Sequence, residues 1–328
     1  MRAVFLDFDS LGPADTDRSP LTNLLPGCEF FGATEPGQRR DRVAGAEIVF
    51  VNKVVLDRET IQAAEQLRLI CVAATGTDNV DLDTARDRGI GVCNIRGYCT
   101  PSVVQHVFTL LLALNQQLPA YQARVKRGDW SGGEQFCLLE PPFRELAGKT
   151  LGIVGLGALG NSVAEAAGAF GLRVLAARRP YRLSDDSHLY NVGGGEVPRI
   201  GFGALLSRVD YLSLHCPLTN ETQGLIDEAA LQRMREDAIL INTARGALVD
   251  PTALLAALSA GELGGAGIDV LDTEPPPADH PLLAVEVPNL IVTPHIAWAA
   301  REARQRAIDE LAANVAAFQR GDSRNRIV

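Results

Sequence analysis

The 328-residue sequence is poor in aromatic residues, at 5%, and carries only 2 Met, 5 His and 6 Cys. No cysteine pair has Cys-x-x-Cys or Cys/His metal-ligand spacing. Cys28, Cys71, Cys93, Cys99, Cys137 and Cys216 therefore read as reduced thiols, several inside apolar runs, and nothing in the pattern requires a metal. No apolar run approaches the roughly 18 residues of a membrane span. MRAVFLDFDS lacks the basic start and long apolar core of a secretion signal, so a cytoplasmic protein is expected. Positive charge is also scarce, 31 Lys and Arg against 40 Asp and Glu, and a net charge of −9 argues against nucleic acid or anionic membrane as partner. An anionic substrate would need cations gathered locally.

What is present is a globular composition, 46% hydrophobic and 22% charged, in a chain long enough for two domains. Strand-like runs occur at Val4 to Phe8, Ile48 to Val51, Leu69 to Ala73 and Ile90 to Cys93, with helical patterns at Arg58 to Leu67 and Leu82 to Arg88. This alternation predicts a first α/β unit. Thr100 and Pro101 read as N-cap and first residue of a helix through Val104, Val107, Leu111 and Leu114, which Pro119 is expected to kink or end. Arg301 to Phe318 reads as an amphipathic helix with Ile308, Leu311, Val315 and Phe318 on one face. Tyr181 to Pro198, with Gly193, Gly194 and Gly195, reads as a polar loop.

The stretch TLGIVGLGALGNSVAEAAGAFGLRVLAA, residues 150 to 177, reads as strand, glycine turn, helix and second strand. Ile153 and Val154 end the strand, and Leu159, Val163, Ala167 and Phe170 recur at helical spacing. In that context Gly155 permits a tight turn, Gly157 lets the backbone approach a pyrophosphate, and Gly160 allows helix and strand to pack closely. Gly155, Gly157, Ala158, Leu159 and Gly160 are thus expected to bind a dinucleotide at a helix N-terminus. NAD-specific sites carry a carboxylate after the second strand, where this chain has Ala176, Ala177, Arg178 and Arg179. Two guanidinium groups there predict NADP as the preferred cofactor, with NAD also usable.

Further apolar runs end in polar residues: Tyr211 to Leu214 before His215, Ala238 to Ile241 before Asn242, Ile268 before Asp269, and Leu290 to Thr293 before Pro294 and His295. Ligands of open parallel sheets bind at the carboxyl ends of strands, so these endings mark one site. Three ionisable residues follow these later strands: Arg245, Glu274 and His295. Arg245 supplies a permanently charged fork, His295 a group able to give or take a proton, and Glu274 a carboxylate that would favour the charged ring and orient it. His106 faces a helix interior and His188 and His280 fall in loops, so structural or solvated roles are expected for them.

The segments ATGTDNVD, INTARGALVD, GIDVLDTEPPP and LIVTPHIAW, with the glycine turn, resemble the D-2-hydroxyacid dehydrogenase family over nearly the whole chain. NIRGYCTPSVVQHVFTLLLAL, LSLHCPLT and TPHIAW look most like its hydroxypyruvate reductase and glycerate dehydrogenase branch. The resemblance implies a two-lobed α/β protein: a Rossmann-type doubly wound parallel sheet over 100–290, and a flavodoxin-like substrate lobe over 1–99 plus 291–328. It implies Arg245, Glu274 and His295 as catalytic residues, with Arg245 and His295 also binding substrate. Cys216, Pro217, Thr243 and Ala244 would line the nucleotide, and Asp269 would meet the nicotinamide amide. Thr75, Gly76 and Thr77 would cradle the substrate carboxylate and Trp298 would limit its side chain, unless that ring is packing core. The expected substrate is a small 2-oxo or 2-hydroxy acid such as hydroxypyruvate or glyoxylate. A homodimer is expected, with Trp130 to Leu139 reaching towards the partner. Two rivals remain: a phosphoglycerate dehydrogenase-like enzyme, and a non-catalytic NAD(P)-binding sensor or corepressor on the same fold.

Overall fold

Strands buried on both faces of a parallel sheet read as near-continuous apolar runs, and IVFV at Ile48–Val51 and LICV at Leu69–Val72 are buried at every position. The computed structural model describes residues 1–185 and 197–328, so His188 and most of the 181–198 loop lie outside the described residues. The chain divides into two compact units, Met1–Cys99 with Trp298–Val328, and Thr100–Ala297.

In the first unit β1 (Ala3–Phe5), β2 (Glu29–Phe30), β3 (Ile48–Val51), β4 (Leu69–Val72) and β5 (Gly91–Cys93) form a parallel sheet in the order β2-β1-β3-β4-β5. This is the flavodoxin-like order. Helices α1 (Ser19–Leu24), α2 (Arg39–Val43), α3 (Arg58–Ala63) and α4 (Leu82–Asp87) alternate with the strands. Successive side chains point to opposite faces, so Phe5, Phe50, Leu69 and Cys71 join one core and Val4, Val49, Ile70 and Val92 the other. The C-terminal helix, Arg301–Gln319, covers the first face through Ala307, Ile308, Leu311 and Val315.

The second unit opens with α5 (Thr100–Asn115) and α6 (Leu118–Arg127). Pro119 does not kink α5: that helix stops at Asn115, Gln117 takes φ +53°, and Pro119 lies in the first turn of α6, where its missing N–H costs nothing. Strands β6 (Thr150–Val154), β7 (Arg173–Ala177), β8 (Arg199–Ile200), β9 (Tyr211–Leu214), β10 (Ile239–Asn242), β11 (Gly265–Ile268) and β12 (Leu290–Val292) form a parallel sheet in the order β12-β11-β10-β9-β6-β7-β8. Between them run α7 (Ala158–Ala169), α8 (Phe202–Leu206), α9 (Glu228–Arg233), α10 (Pro251–Ala260) and α11 (Pro281–Ala284). The strand order reverses between β6 and β9, the Rossmann-type switch point where ligands bind. The boundary expected after residue 290 falls later, because β12 pairs with β11 and the unit runs to Ala297.

Candidate active site

The glycine turn after β6 is closed at two positions and open at one. Gly155 has φ +99°, and a Cβ there would lie 2.5 Å from the Cys216 amide nitrogen, so the turn is pressed against the end of β9. A Cβ on Gly160 would stand 2.2 Å from the Gly155 carbonyl oxygen. At Gly157, by contrast, a Cβ would meet nothing within 4 Å. Gly157 caps α7 without a side-chain hydrogen bond, and Gly157 and Ala158 are exposed, with Leu159 partly so. Open space before uncapped helix amides suits a phosphate group. At the end of β10, the buried Thr243 hydroxyl has no hydrogen-bond partner among the described residues, a second group fitted to a polar cofactor.

Across the switch point, His215 shares a hydrogen bond with Ser213 Oγ at 2.8 Å through Nε2. Burial lowers its pKa from 6.5 to about 4, leaving the ring neutral at physiological pH. Cys216 is 3% exposed and burial pushes its thiol up to about 11, so it is a wall group and not a nucleophile. Pro217 beside it is exposed. After β7, Arg178 pairs with Asp185 at 2.7 Å, while Arg179 is exposed with its guanidinium 5.9 Å from the Tyr181 ring centroid.

The Arg245, Glu274 and His295 loops are tied together. Asn242 at the end of β10 accepts from the Ala244 amide at 3.0 Å and donates to the Arg245 carbonyl at 2.9 Å, fixing the turn that presents Arg245. Arg245 Nη1 donates to the Ala244 carbonyl at 2.8 Å. A Cβ on Gly246 would lie 1.9 Å from the Leu271 carbonyl carbon, so the Arg245 turn abuts the loop carrying Glu274. Glu274 Oε1 accepts from the Leu271 amide at 2.9 Å, and Oε2 meets His295 Nδ1 at 2.6 Å. With Nδ1 held by Glu274, Nε2 is the other ring nitrogen. The ring is 30% exposed and the carboxylate 34%, so the pair is partly open to solvent.

Asp269 has a further role beyond the one expected for it. It is 1% exposed, and its oxygens accept from Thr293 Oγ1 at 2.6 Å, the Ile296 amide at 2.9 Å and the Ala297 amide at 2.9 Å. Its carboxylate therefore also holds the turn that carries His295. Burial acts to raise its pKa, but hydrogen bonds from His106, Thr293 and the two amides outweigh that and hold it below the ordinary carboxylate value. His280, expected in a loop, is 4% exposed: its Nδ1 accepts from Leu282 at the start of α11 and its Nε2 meets Asp272 at 2.8 Å. Sequence reasoning missed Gly246 and the tethering by Asn242. The one signal for the latter was an Asn ending an apolar strand.

Thr75, Gly76, Thr77 and Trp298 belong to the first unit. The Thr75 hydroxyl donates to the Ile95 carbonyl at 3.0 Å, the Thr75 carbonyl accepts from Asn94 at 2.7 Å, and Thr77 accepts from the Val80 amide at 3.0 Å. These bonds fix the loop after β4. Trp298 packs on the first unit's core, its ring centroid 6.4 Å from that of Tyr98.

A dinucleotide turn at a topological switch point, served by a cation and a carboxylate-held imidazole, defines a nicotinamide-dependent oxidoreductase acting on 2-hydroxy and 2-oxo acids. Residues 108–297 match the family model for the NAD binding domain of D-isomer specific 2-hydroxyacid dehydrogenases. The chain is 43% identical to glycerate dehydrogenase of Methylorubrum extorquens over 99% of this chain and 98% of that one. It is 34% identical to hydroxypyruvate reductase of Blautia hydrogenotrophica over 99% of each. An acyclic imino acid reductase solved with NADPH and D-Arg superimposes with TM-score 0.85 at 28% identity, covering 100% of both chains. The chain belongs to the D-isomer specific 2-hydroxyacid dehydrogenase family.

Proposed function

We propose that this enzyme reduces a small 2-oxo acid, hydroxypyruvate or glyoxylate, to the D-2-hydroxy acid and prefers NADPH to NADH. The observation carrying the reading is the 2.6 Å contact between His295 Nδ1 and Glu274 Oε2, beside the Arg245 turn. Arg245 grips the substrate carboxylate, and the first unit contributes the Thr75, Gly76 and Thr77 backbone as an anion cradle. The reduced cofactor, with its pyrophosphate at the glycine turn, would supply the hydride. His295 gives its Nε2 proton to the carbonyl oxygen as negative charge develops there, and Glu274 stabilises the imidazolium before transfer.

The cofactor preference rests on Arg178 and Arg179, where an NAD-specific site would place a carboxylate. Initial rates with hydroxypyruvate, glyoxylate, pyruvate and phosphohydroxypyruvate, each with NADPH and NADH, test both assignments. The expected result is highest kcat/KM for hydroxypyruvate or glyoxylate with NADPH. Preference for phosphohydroxypyruvate overturns the substrate assignment, a clear NADH preference the cofactor one, and no oxidation of either nucleotide the enzymatic reading.

The same reading makes the enzyme a homodimer. Leu118, Trp130, Phe136, Leu139 and Phe143 are each at least half exposed, a concentration of apolar surface that a partner would bury. Sedimentation of Phe136→Ser/Leu139→Ser is expected to give monomers where the unaltered protein gives dimers. A monomeric unaltered protein overturns the assignment.

A further inference from the structure

We propose that His106 is a positioning residue for His295, acting from α5 through Thr293 and Asp269. The inference rests on the reading of His295 as the proton donor. His106 Nε2 lies 2.9 Å from Thr293 Oγ1 and 3.4 Å from Asp269 Oδ1, and its side chain is 15% exposed. Hydrogen-bond accounting fixes the direction. Thr293 spends its one hydroxyl proton on Asp269 Oδ1 at 2.6 Å, so Nε2 of His106 must be the donor to Thr293.

One turn earlier on the same face of α5, Ser102 Oγ donates to the Ala297 carbonyl at 2.6 Å. The helix therefore grips both ends of the segment 293–297, with His295 between the grips. Inside that segment His295 has φ +55°, its amide donating to the Asp269 carbonyl at 2.8 Å. A side-chain-bearing residue in the left-handed region persists where its surroundings over-determine it. Glu274 fixes the ring at Nδ1 but leaves the backbone free to relax. Without His106, the Thr293 end of the segment loses a buried donor, and Nε2 of His295 drifts from the line of proton transfer. Misplacement by about 1 Å is enough to cost on the order of 100-fold in rate.

The test is steady-state kinetics of the full-length enzyme with NADPH and its best 2-oxo acid, using His106→Leu, His106→Gln and each combined with His295→Asn. Asn tolerates the left-handed backbone, so His295→Asn removes the imidazole without forcing the turn to change. His106→Leu is expected to lower kcat roughly 10- to 100-fold while KM for NADPH stays within about twofold. His106→Gln, whose amide nitrogen donates from a similar reach, restores most of the loss. In the His295→Asn background, His106→Leu costs nothing further. An undiminished kcat for His106→Leu beside an inactive His295→Asn overturns the proposal alone. So does an equal loss in both backgrounds, or a Gln variant no better than Leu. A fully active His295→Asn overturns the acid–base reading and the proposal with it. Should His106→Leu fail to fold, Ser102→Ala removes the other grip under the same criteria.

Discussion

The His295 amide donates to the Asp269 carbonyl at 2.8 Å, while the Asp269 carboxylate takes the two following amides, so one residue at the end of β11 dictates the path of the chain on both sides of the imidazole. The path of the chain at His295 is set by backbone amides that donate to Asp269, and its ring by the contact with Glu274, so two strand-end loops act on one residue.

Asp269→Asn tests this directly. A neutral amide presents one acceptor oxygen where the carboxylate has two, so at least one of Thr293, Ile296 and Ala297 loses its buried partner. The expected cost is about 1–3 kcal/mol in urea unfolding of the cofactor-free protein. A variant as stable as the unaltered protein would return Asp269 to a purely cofactor-contacting role. The sign with pH follows from the lowered pKa. The stabilisation is present above the ordinary carboxylate range and is lost as pH falls through the folded value. Asp269→Asn is expected to flatten that acid limb.

The glycines of the turn separate folding from binding. Gly160→Ala drives a Cβ to 2.2 Å from the Gly155 carbonyl and is expected to destabilise the fold by at least about 2 kcal/mol. Gly157→Ala meets open space and is expected to cost less than about 1 kcal/mol, the scale of an N-cap change. It should nonetheless raise KM for the cofactor tenfold or more, because the methyl occupies the approach to the helix amides. Thermal unfolding and cofactor titration of the two variants read the contrast. Equal effects on both measurements would remove the phosphate role from Gly157.

Much of this was legible because parallel α/β folds write their sites at strand ends. Gly155, Arg245 and His295 stand just after apolar runs in the sequence, and the structure has each in the loop after a parallel strand. What could not be read depends on partners distant in sequence. The resemblance implies a cofactor contact for Asp269, and only the return of residues 293–297 reveals the hydroxyl and amides that its oxygens also accept from. His280 reads from the sequence only as a structural or solvated loop residue, and its burial against Asp272 is a tertiary fact that selects the first. The boundary after residue 290 that the resemblance implies falls inside β12, whose pairing with β11 only the folded sheet shows.

His215 predicts a second acid-sensitive contribution. Its folded pKa of about 4 lies below its ordinary 6.5, so between those values the unfolded chain binds more protons than the native state. Stability from this site is complete above the ordinary value and declines as pH falls towards the folded one. At pH ~4.5 the loss is on the order of 2 kcal/mol. His215→Gln, which has no proton to bind, should show a smaller drop in urea midpoint between neutral pH and pH ~4.5 than the unaltered protein. Identical drops would mean that the ring is solvated in the native state.

The two arginines after β7 are not equivalent, and the difference sets the final prediction. Arg178 already faces Asp185 at 2.7 Å, so part of its charge is balanced within the protein, whereas Arg179 is exposed beside Tyr181. A 2'-phosphate would compete with Asp185 for Arg178 but, among the described residues, with no carboxylate paired to Arg179. Arg179→Ala is therefore expected to raise KM for NADPH about tenfold, the scale of one charge-assisted contact, and to leave KM for NADH unchanged. Asp185→Asn should act in the opposite sense, lowering KM for NADPH by releasing Arg178 from its carboxylate partner. Both effects should shrink in high salt, since exposed charges at this distance are screened. Parallel changes with the two nucleotides would show that the arginines support the loop and do not read the phosphate.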